Sequence, residues 1–426
     1  MERQFFKKFF CATLLVTTVI VSSPRRPAAA ADLPPINKTY TQNKDYQGYL
    51  KFFEEVYKTV EKNYYHPVTP RDFMKFIYIF NTKIYAQLKL AGKSQKYIKW
   101  RSAAHLIDAL KADDDIFSKF FPPKDAKRFE KEVLGKKIDL GIDGALTSEG
   151  FVVLRVEPRS DAHEKGLREK DRILTIDGQQ TITLSQEKIT ELLTPLEGQT
   201  VRLVYYDRRQ EKEFTIDVIS KEYFRQETFL VPVDVPGVFC IQIRQFNRAT
   251  GEDMTEFISS ILEKDARGLI IDLRGNPGGP PLAAREISAF FLPPHEEFAY
   301  FQKKNRPRAR LDVPEIPAEL RYHGPIAILV NEKSGSASEL FAGIMQRRGR
   351  AVLIGQNTAG QVFLKSMFHF SDGSMVLLVT ARGHHPDGAV FSFDGVTPNV
   401  PRDDQEELIH FAAEYLVARP SALSSL

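Results

Sequence analysis

Gly268-Leu269-Ile270-Ile271-Asp272-Leu273-Arg274-Gly275-Asn276-Pro277-Gly278-Gly279 reads as an apolar strand that runs straight into a glycine-rich turn. A turn of this kind brings backbone N–H groups to the carboxyl end of a strand, where the sites of α/β sheets form. It lacks the Lys-Ser/Thr ending of a phosphate loop, which argues against a nucleotide. On both sides the chain alternates. An apolar run at 238–243 precedes a helix-like stretch at 251–263, and further apolar runs follow at 325–330 and 351–354 around a helical pattern at 338–347. Residues 363–370 and 374–382 read as longer strands joined by Ser371-Asp372-Gly373, and 405–417 as a closing amphipathic helix. Such alternation predicts an α/β core with helices on a mainly parallel sheet.

A second loop has the same placement. Val330-Asn331-Glu332-Lys333-Ser334-Gly335-Ser336-Ala337-Ser338-Glu339 delivers three serines, separated by small residues, from a strand to a helix start. Small neighbours let a substrate backbone approach a hydroxyl. A helix N-terminus adds unpaired N–H groups and the positive end of its dipole, both suited to a developing oxyanion. The segment fits equally a plain helix cap made by Ser338 and Glu339.

Toward the N-terminus, residues 138–219 change to short β-branched runs at 151–156, 172–176, 201–205 and 214–218, with one helical stretch at 185–193. Before them, Tyr49, Phe53, Val56, Tyr57, Val60 and Tyr64 recur at helical spacing, as do Phe73, Phe76, Ile77, Phe80, Ile84 and Leu88. A third run covers 103–110. These stripes read as core or as an oligomer contact rather than a ligand box. Residues 1–31 have the form of an export signal: Lys7 and Lys8, an apolar run from Phe9 to Val21, then Ala28-Ala29-Ala30-Ala31. The run falls short of the roughly 20 residues needed to span a bilayer. An uncleaved anchor is the alternative.

The expected division is 1–31 signal peptide, 32–137 N-terminal helical region, 138–220 β-rich module and 221–426 α/β core. The 426 residues are 42% hydrophobic and 27% charged, which excludes collagen-like, mostly disordered and disulfide-scaffold classes. Residues 1–31 hold five of the 59 Lys and Arg and one of the 55 Asp and Glu, so the remainder carries 54 of each. That balance gives no nucleic-acid footprint. Removing residues 1–31 also removes Cys11 and leaves Cys240 alone, so no internal disulfide forms in the mature chain.

Taken together, the two loops, Gly355-Gln356-Asn357-Thr358-Ala359-Gly360, Ser371-Asp372-Gly373-Ser374, Thr380-Ala381-Arg382 and Gly395-Val396-Thr397-Pro398-Asn399 resemble the carboxyl-terminal processing (tail-specific) serine proteases. The resemblance runs from about residue 48 to the end and includes Asp114-Asp115-Ile116-Phe117-Ser118. Pro158-Arg159-Ser160-Asp161-Ala162 leading to Gly166-Leu167, with Asp171-Arg172-Ile173-Leu174-Thr175-Ile176-Asp177-Gly178, resembles the PDZ domains of bacterial exported proteases. The resemblance implies a protease core with an inserted PDZ-like module, in the bacterial periplasm. Its PDZ module binds extended protein tails along a sheet edge, with the tail carboxylate at Leu140-Gly141-Ile142. It implies Ser336 as nucleophile and an oxyanion hole from the N–H of Ala337 and the Gly278-Gly279 turn. A desolvated, neutral lysine is the general base in this family, and a glutamine four residues later orients it.

Here the sequence departs from the family. An ungapped reading between Thr358-Ala359-Gly360 and Ser371-Asp372-Gly373 puts Gln361 where the lysine belongs and Lys365 where the glutamine belongs. Four residues along a strand keep both on one face, about 13 Å apart at Cα. In one reading Lys365 points back to Ser336 as base, with Gln361 orienting it. In the other, Gln361 occupies the base position and the protein is a degenerate scaffold that binds tails without cutting them.

His369 lies an even step from Lys365, and His384-His385 form a loop; each reads as structural. Adjacent rings point apart, so no metal site is expected, and no cofactor is implied. The expected partners are protein or peptide substrates with free C-terminal tails, no nucleic acid, a homo-oligomer through the N-terminal helices and an adaptor of unknown identity.

Overall fold

The computed structural model describes residues 43–418 apart from 114, 265, 304 and 305, so the export segment read at 1–31 lies outside the described residues. Its centre is a six-stranded sheet in the order Thr228–Val231, Val238–Ile243, Gly268–Asp272, Ile326–Val330, Val352–Gly355 and Val400–Pro401. The first pair is antiparallel and every later pair parallel. All five residues of Gly268–Asp272 and of Ile326–Val330 are buried, as expected where helices cover both faces. Alternate side chains split between two cores. Leu269, Ile271, Ile328 and Val330 meet the helices Thr250–Leu262, Pro281–Ser288 and Ala337–Arg347, whereas Ile270, Ala327, Leu329 and Cys240 meet Leu408–Ala418. Asp272 and Val330 end neighbouring parallel strands, so the glycine turn and the serine turn emerge side by side.

A second sheet is antiparallel, which the alternation did not foretell. Met375–His384 lies at its centre between Lys119–Phe121 and Glu297–Lys303, and Ala309–Asp312 follows at the edge. Phe363–His369 folds back on Met375–His384 through the turn expected at Ser371-Asp372-Gly373. Against this hairpin pack the N-terminal helices Lys44–Asn63, Pro70–Ile79 and Gln95–Leu110. Their aromatic stripe is spent inside the chain: Phe53, Tyr64, Phe76 and Phe80 are buried together with Phe370, Val376 and Leu378. Of the two readings of this stripe, core or oligomer contact, burial in the chain's own interior matches the first. The second run is also not one helix, because a π-helical turn at Phe80–Ile84 separates Pro70–Ile79 from Tyr85–Leu90. Asp372, at the hairpin turn, accepts from Trp100 Nε1 at 3.0 Å and pairs with Lys99, and so ties helix to hairpin.

The β-rich module is a sheet of Ile142–Thr147, Gly150–Val156, Arg172–Ile176, Thr200–Asp207 and Lys212–Ile219 in that order, closed by the helix Gln186–Leu192. Phe151, Val153, Ile173, Ile189, Leu203 and Val218 form its core. It joins the rest through the paired strands Lys136–Asp139 and Lys221–Phe224, and Arg159 Nη2 bonds Asp253 Oδ1 across to the core at 2.6 Å. Among the described residues, no helix is long and apolar enough to cross a membrane.

Candidate active site

The glycine turn and the serine turn are bonded into one piece. The Asn276 carbonyl accepts from Gly335 N at 2.9 Å and from Ser338 Oγ at 3.0 Å. The Asn276 side chain donates to Ile243 O and accepts from Gly278 N, both at 2.8 Å. Ser334 Oγ donates to Leu273 O at 2.8 Å. Asp272 is fully buried and accepts from the Arg274 backbone and guanidinium, which fixes the turn between strand and glycines.

Close approach is what the glycines provide. Gly278 has φ +105°, and a Cβ there would lie 2.7 Å from Gly335 O, 2.8 Å from Ser336 Cβ and 2.9 Å from Ala337 N. The glycine therefore faces both the serine and the first amide of the helix Ala337–Arg347, which has no intrahelical acceptor. At Gly279 a Cβ would meet Phe246 O at 2.0 Å. Ser336 itself has φ +54° and ψ −110°, a region that a non-glycine residue occupies only when its surroundings enforce it.

What enforces it is Glu339. Its carboxylate is fully buried and accepts four hydrogen bonds. Oε2 takes Ser336 N and Gln361 N, each at 2.7 Å, and Oε1 takes Thr358 Oγ1 at 2.6 Å and Gly360 N at 2.5 Å. The sequence pattern marks this residue as a helix cap. In the structure it also links the serine turn to the 358–361 turn, where the chain departs from the family.

The departure acquires a geometry here. The strand begins at Phe363, so Gln361 lies ahead of it and the argument that placed 361 and 365 on one strand face holds only for 365. Ser336, Gly278, Gly279 and Lys365 line one crevice of about 390 Å³, together with apolar walls from Phe129, Val133, Met367 and Leu377; Gln361 is not part of that lining. A register shift falls between Leu364 and Lys365, where Thr380 of the partner strand is passed over. Such bulges re-aim side chains. The Lys365 amine sits over the Phe117 ring, 4.1 Å from its centroid. Desolvation holds its pKa below the ordinary 10.5, while the charges of Glu339 and Asp115 act in the opposite direction. Asp115 in turn accepts from Phe117 N and Ser118 N at 2.9 Å and from Tyr64 OH at 2.7 Å, and so positions the loop that carries the ring.

The histidines sit apart. His369 is half-exposed and faces Glu130 at 3.4 Å. His385 is stacked on Phe391 with centroids 4.0 Å apart, and burial pushes its pKa down to about 4. His384 is stacked on Tyr300.

In the β-rich module Leu140, Gly141 and Ile142 stand where the edge strand begins. Leu140 is buried and its N–H donates to Leu193 O at 3.3 Å. The Gly141 N–H donates to Asp139 Oδ1 at 2.7 Å, and Ile142 pairs with Val156. Two of the three amides expected to receive a carboxylate thus already have acceptors.

Comparison with known proteins agrees with this layout. The model of peptidase family S41 matches residues 237–402, and that of the PDZ domain matches 124–205. The carboxy-terminal processing protease CtpA of Bacillus subtilis (strain 168) is 27% identical over 290 residues, 67% of this chain and 60% of that protein. The carboxyl-terminal-processing protease of Synechocystis sp. (strain PCC 6803) is 28% identical over 311 residues, 70% of each. The chain therefore spans about 60% of the length of the Bacillus relative. In fold it is similar to a photosystem II D1 C-terminal processing protease, with a TM-score of 0.50 at 20% identity over 88% of this chain and 98% of that one.

Proposed function

The chain belongs to peptidase family S41, the carboxyl-terminal processing serine proteases with a PDZ domain, and we propose that it is an exported endopeptidase that grips protein tails in that domain and cuts through Ser336. One observation carries the reading. A serine held at φ +54° shares a 390 Å³ crevice with two glycines at close approach and with a lysine whose pKa burial lowers.

In this reading the neutral Lys365 amine takes the Ser336 hydroxyl proton as Oγ bonds to the scissile carbonyl carbon. Negative charge moves to the carbonyl oxygen, stabilised by the N–H of Ala337 and of the Gly278-Gly279 turn. The tetrahedral intermediate collapses when the C–N bond breaks and the lysine proton passes to the leaving amine. Water, deprotonated by the same amine, then adds to the acyl carbon, and the bond to Ser336 Oγ breaks as the amine returns the proton to that oxygen. The walls of Phe129, Val133, Met367 and Leu377 suit an apolar side chain beside the cut. Gln361, tied by its backbone to Glu339, supports the turn ahead of the base strand.

The test is cleavage of an unfolded, apolar-tailed protein by the full chain and by Ser336→Ala. Cleavage that Ser336→Ala abolishes supports the endopeptidase. Binding without cleavage by both forms supports instead the tail-binding scaffold that Gln361 at the usual lysine position would make.

A further inference from the structure

The exposed edge of the PDZ sheet is the strand Ile142–Thr147, bonded on one side to Gly150–Val156 and facing the helix Gln186–Leu192 on the other. An added tail would need the outward-facing groups of that edge. They are in use. Gln186, the first residue of the helix, accepts from Leu146 N with Oε1 at 2.8 Å and donates from Nε2 to Gly144 O at 3.1 Å. One carboxamide thus fills a donor and an acceptor two positions apart, bonds that the backbone of an incoming strand would otherwise make. The same substitution occurs at the end of the groove. Asp139 sets its carboxylate on Gly141 N–H at 2.7 Å and also accepts from Tyr223 OH at 2.5 Å. Burial and that carboxylate raise the Tyr223 pKa far above its ordinary value, so the phenol remains a donor.

We propose that the groove is occupied from within, by Gln186 in place of a ligand's backbone and by Asp139 in place of its terminal carboxylate, and that a protein tail enters by displacing both. This rests on the tail-binding reading and adds its threshold. A tail must offer an extended backbone and a free carboxylate together, because either alone only exchanges one set of bonds for an equal one. Gln186 is exposed, so its displacement needs no opening of the core. Its bonds compete directly with those of the ligand, and losing it leaves Leu146 N–H and Gly144 O open to the tail.

The experiment uses the full chain carrying Ser336→Ala, so that nothing is cut, with and without Gln186→Ala. The probe is a fluorescent ten-residue peptide ending in Val with a free carboxylate, and its C-terminal amide is the control. Binding is read by anisotropy and hydrogen exchange at the Leu146 amide without peptide. The Gln186→Ala form should bind the free-carboxylate peptide roughly 3- to 10-fold more tightly, the amide form more weakly, and the Leu146 amide should exchange faster. Equal or weaker binding by Gln186→Ala, or unchanged exchange at Leu146, would overturn the self-occupied groove while leaving tail binding in place. If neither form binds the peptide, the tail-binding reading fails and the internal occupant fails with it.

Discussion

The crevice and the PDZ groove use one device at opposite ends of solvent exposure. In the crevice a carboxylate, Glu339, is sealed from water and accepts from Ser336, Thr358, Gly360 and Gln361. In the groove a carboxamide, Gln186, makes two bonds in the open. Buried donors that lose their acceptor have no water to turn to, whereas exposed ones exchange partners at little cost. The first arrangement therefore fixes geometry, and the second leaves an edge whose bonds can be exchanged. Under the proposed function, Ser336 would thus sit on the rigid element and the recognition edge on the adjustable one, as tail-selective cleavage requires.

The contrast breaks first at Glu339. Replacing it by Ala strands four donors around the serine turn, and urea unfolding should show a loss of about 3–5 kcal/mol together with loss of cleavage. Gly278→Ala comes next. It forces a Cβ into contacts of 2.7–2.9 Å at φ +105°, at a strain of roughly 1–3 kcal/mol. The resulting shift of Ser336 and Ala337 should lower kcat/KM by about 100-fold or more, measured on a peptide substrate, because misplacement of the order of an ångström costs that much. Lys365→Met sharpens the contrast through pH. An amine whose folded pKa is depressed destabilises the fold wherever it is charged, and that penalty fades as pH rises toward the unfolded value of about 10.4. Lys365→Met should thus melt above the wild type at pH 7, with the gap closing as pH approaches that value, while turnover is lost. The smallest effect is at the groove, where Gln186→Ala should leave global stability within about 0.5 kcal/mol of wild type.

Local patterning made much of this legible. The strand runs at 238–243 and 325–330, the turn at Ser371-Asp372-Gly373 and the serine at a helix start all follow from apolar runs and small residues read in order. Hidden were the features made by distant parts of the chain. Trp100 meets Asp372, and Asp115 places Phe117 beneath Lys365, through contacts that no local period encodes. The strands that extend the expected hairpin into a larger antiparallel sheet are hidden for the same reason: Lys119–Phe121 pairs with residues more than two hundred positions later. Sequence spacing alone puts Gln361 on a strand, whereas Glu339 draws its backbone into the turn before the strand starts. The second role of Glu339 was masked because a capping carboxylate and a turn-linking carboxylate look alike in sequence.

In the proposed mechanism Lys365, and not the residue at 361, activates Ser336. The most direct test of that assignment is the pH profile of single-turnover peptide cleavage for the wild type and Lys365→Ala. The wild-type rate should rise with pH to a plateau set by an amine titrating below 10.5, and Lys365→Ala should lose that rise with about 10²–10⁴ of the rate. A Lys365→Ala enzyme that cleaves with the wild-type profile would contradict it, as would a wild type that is silent at every pH until Gln361→Lys restores cleavage.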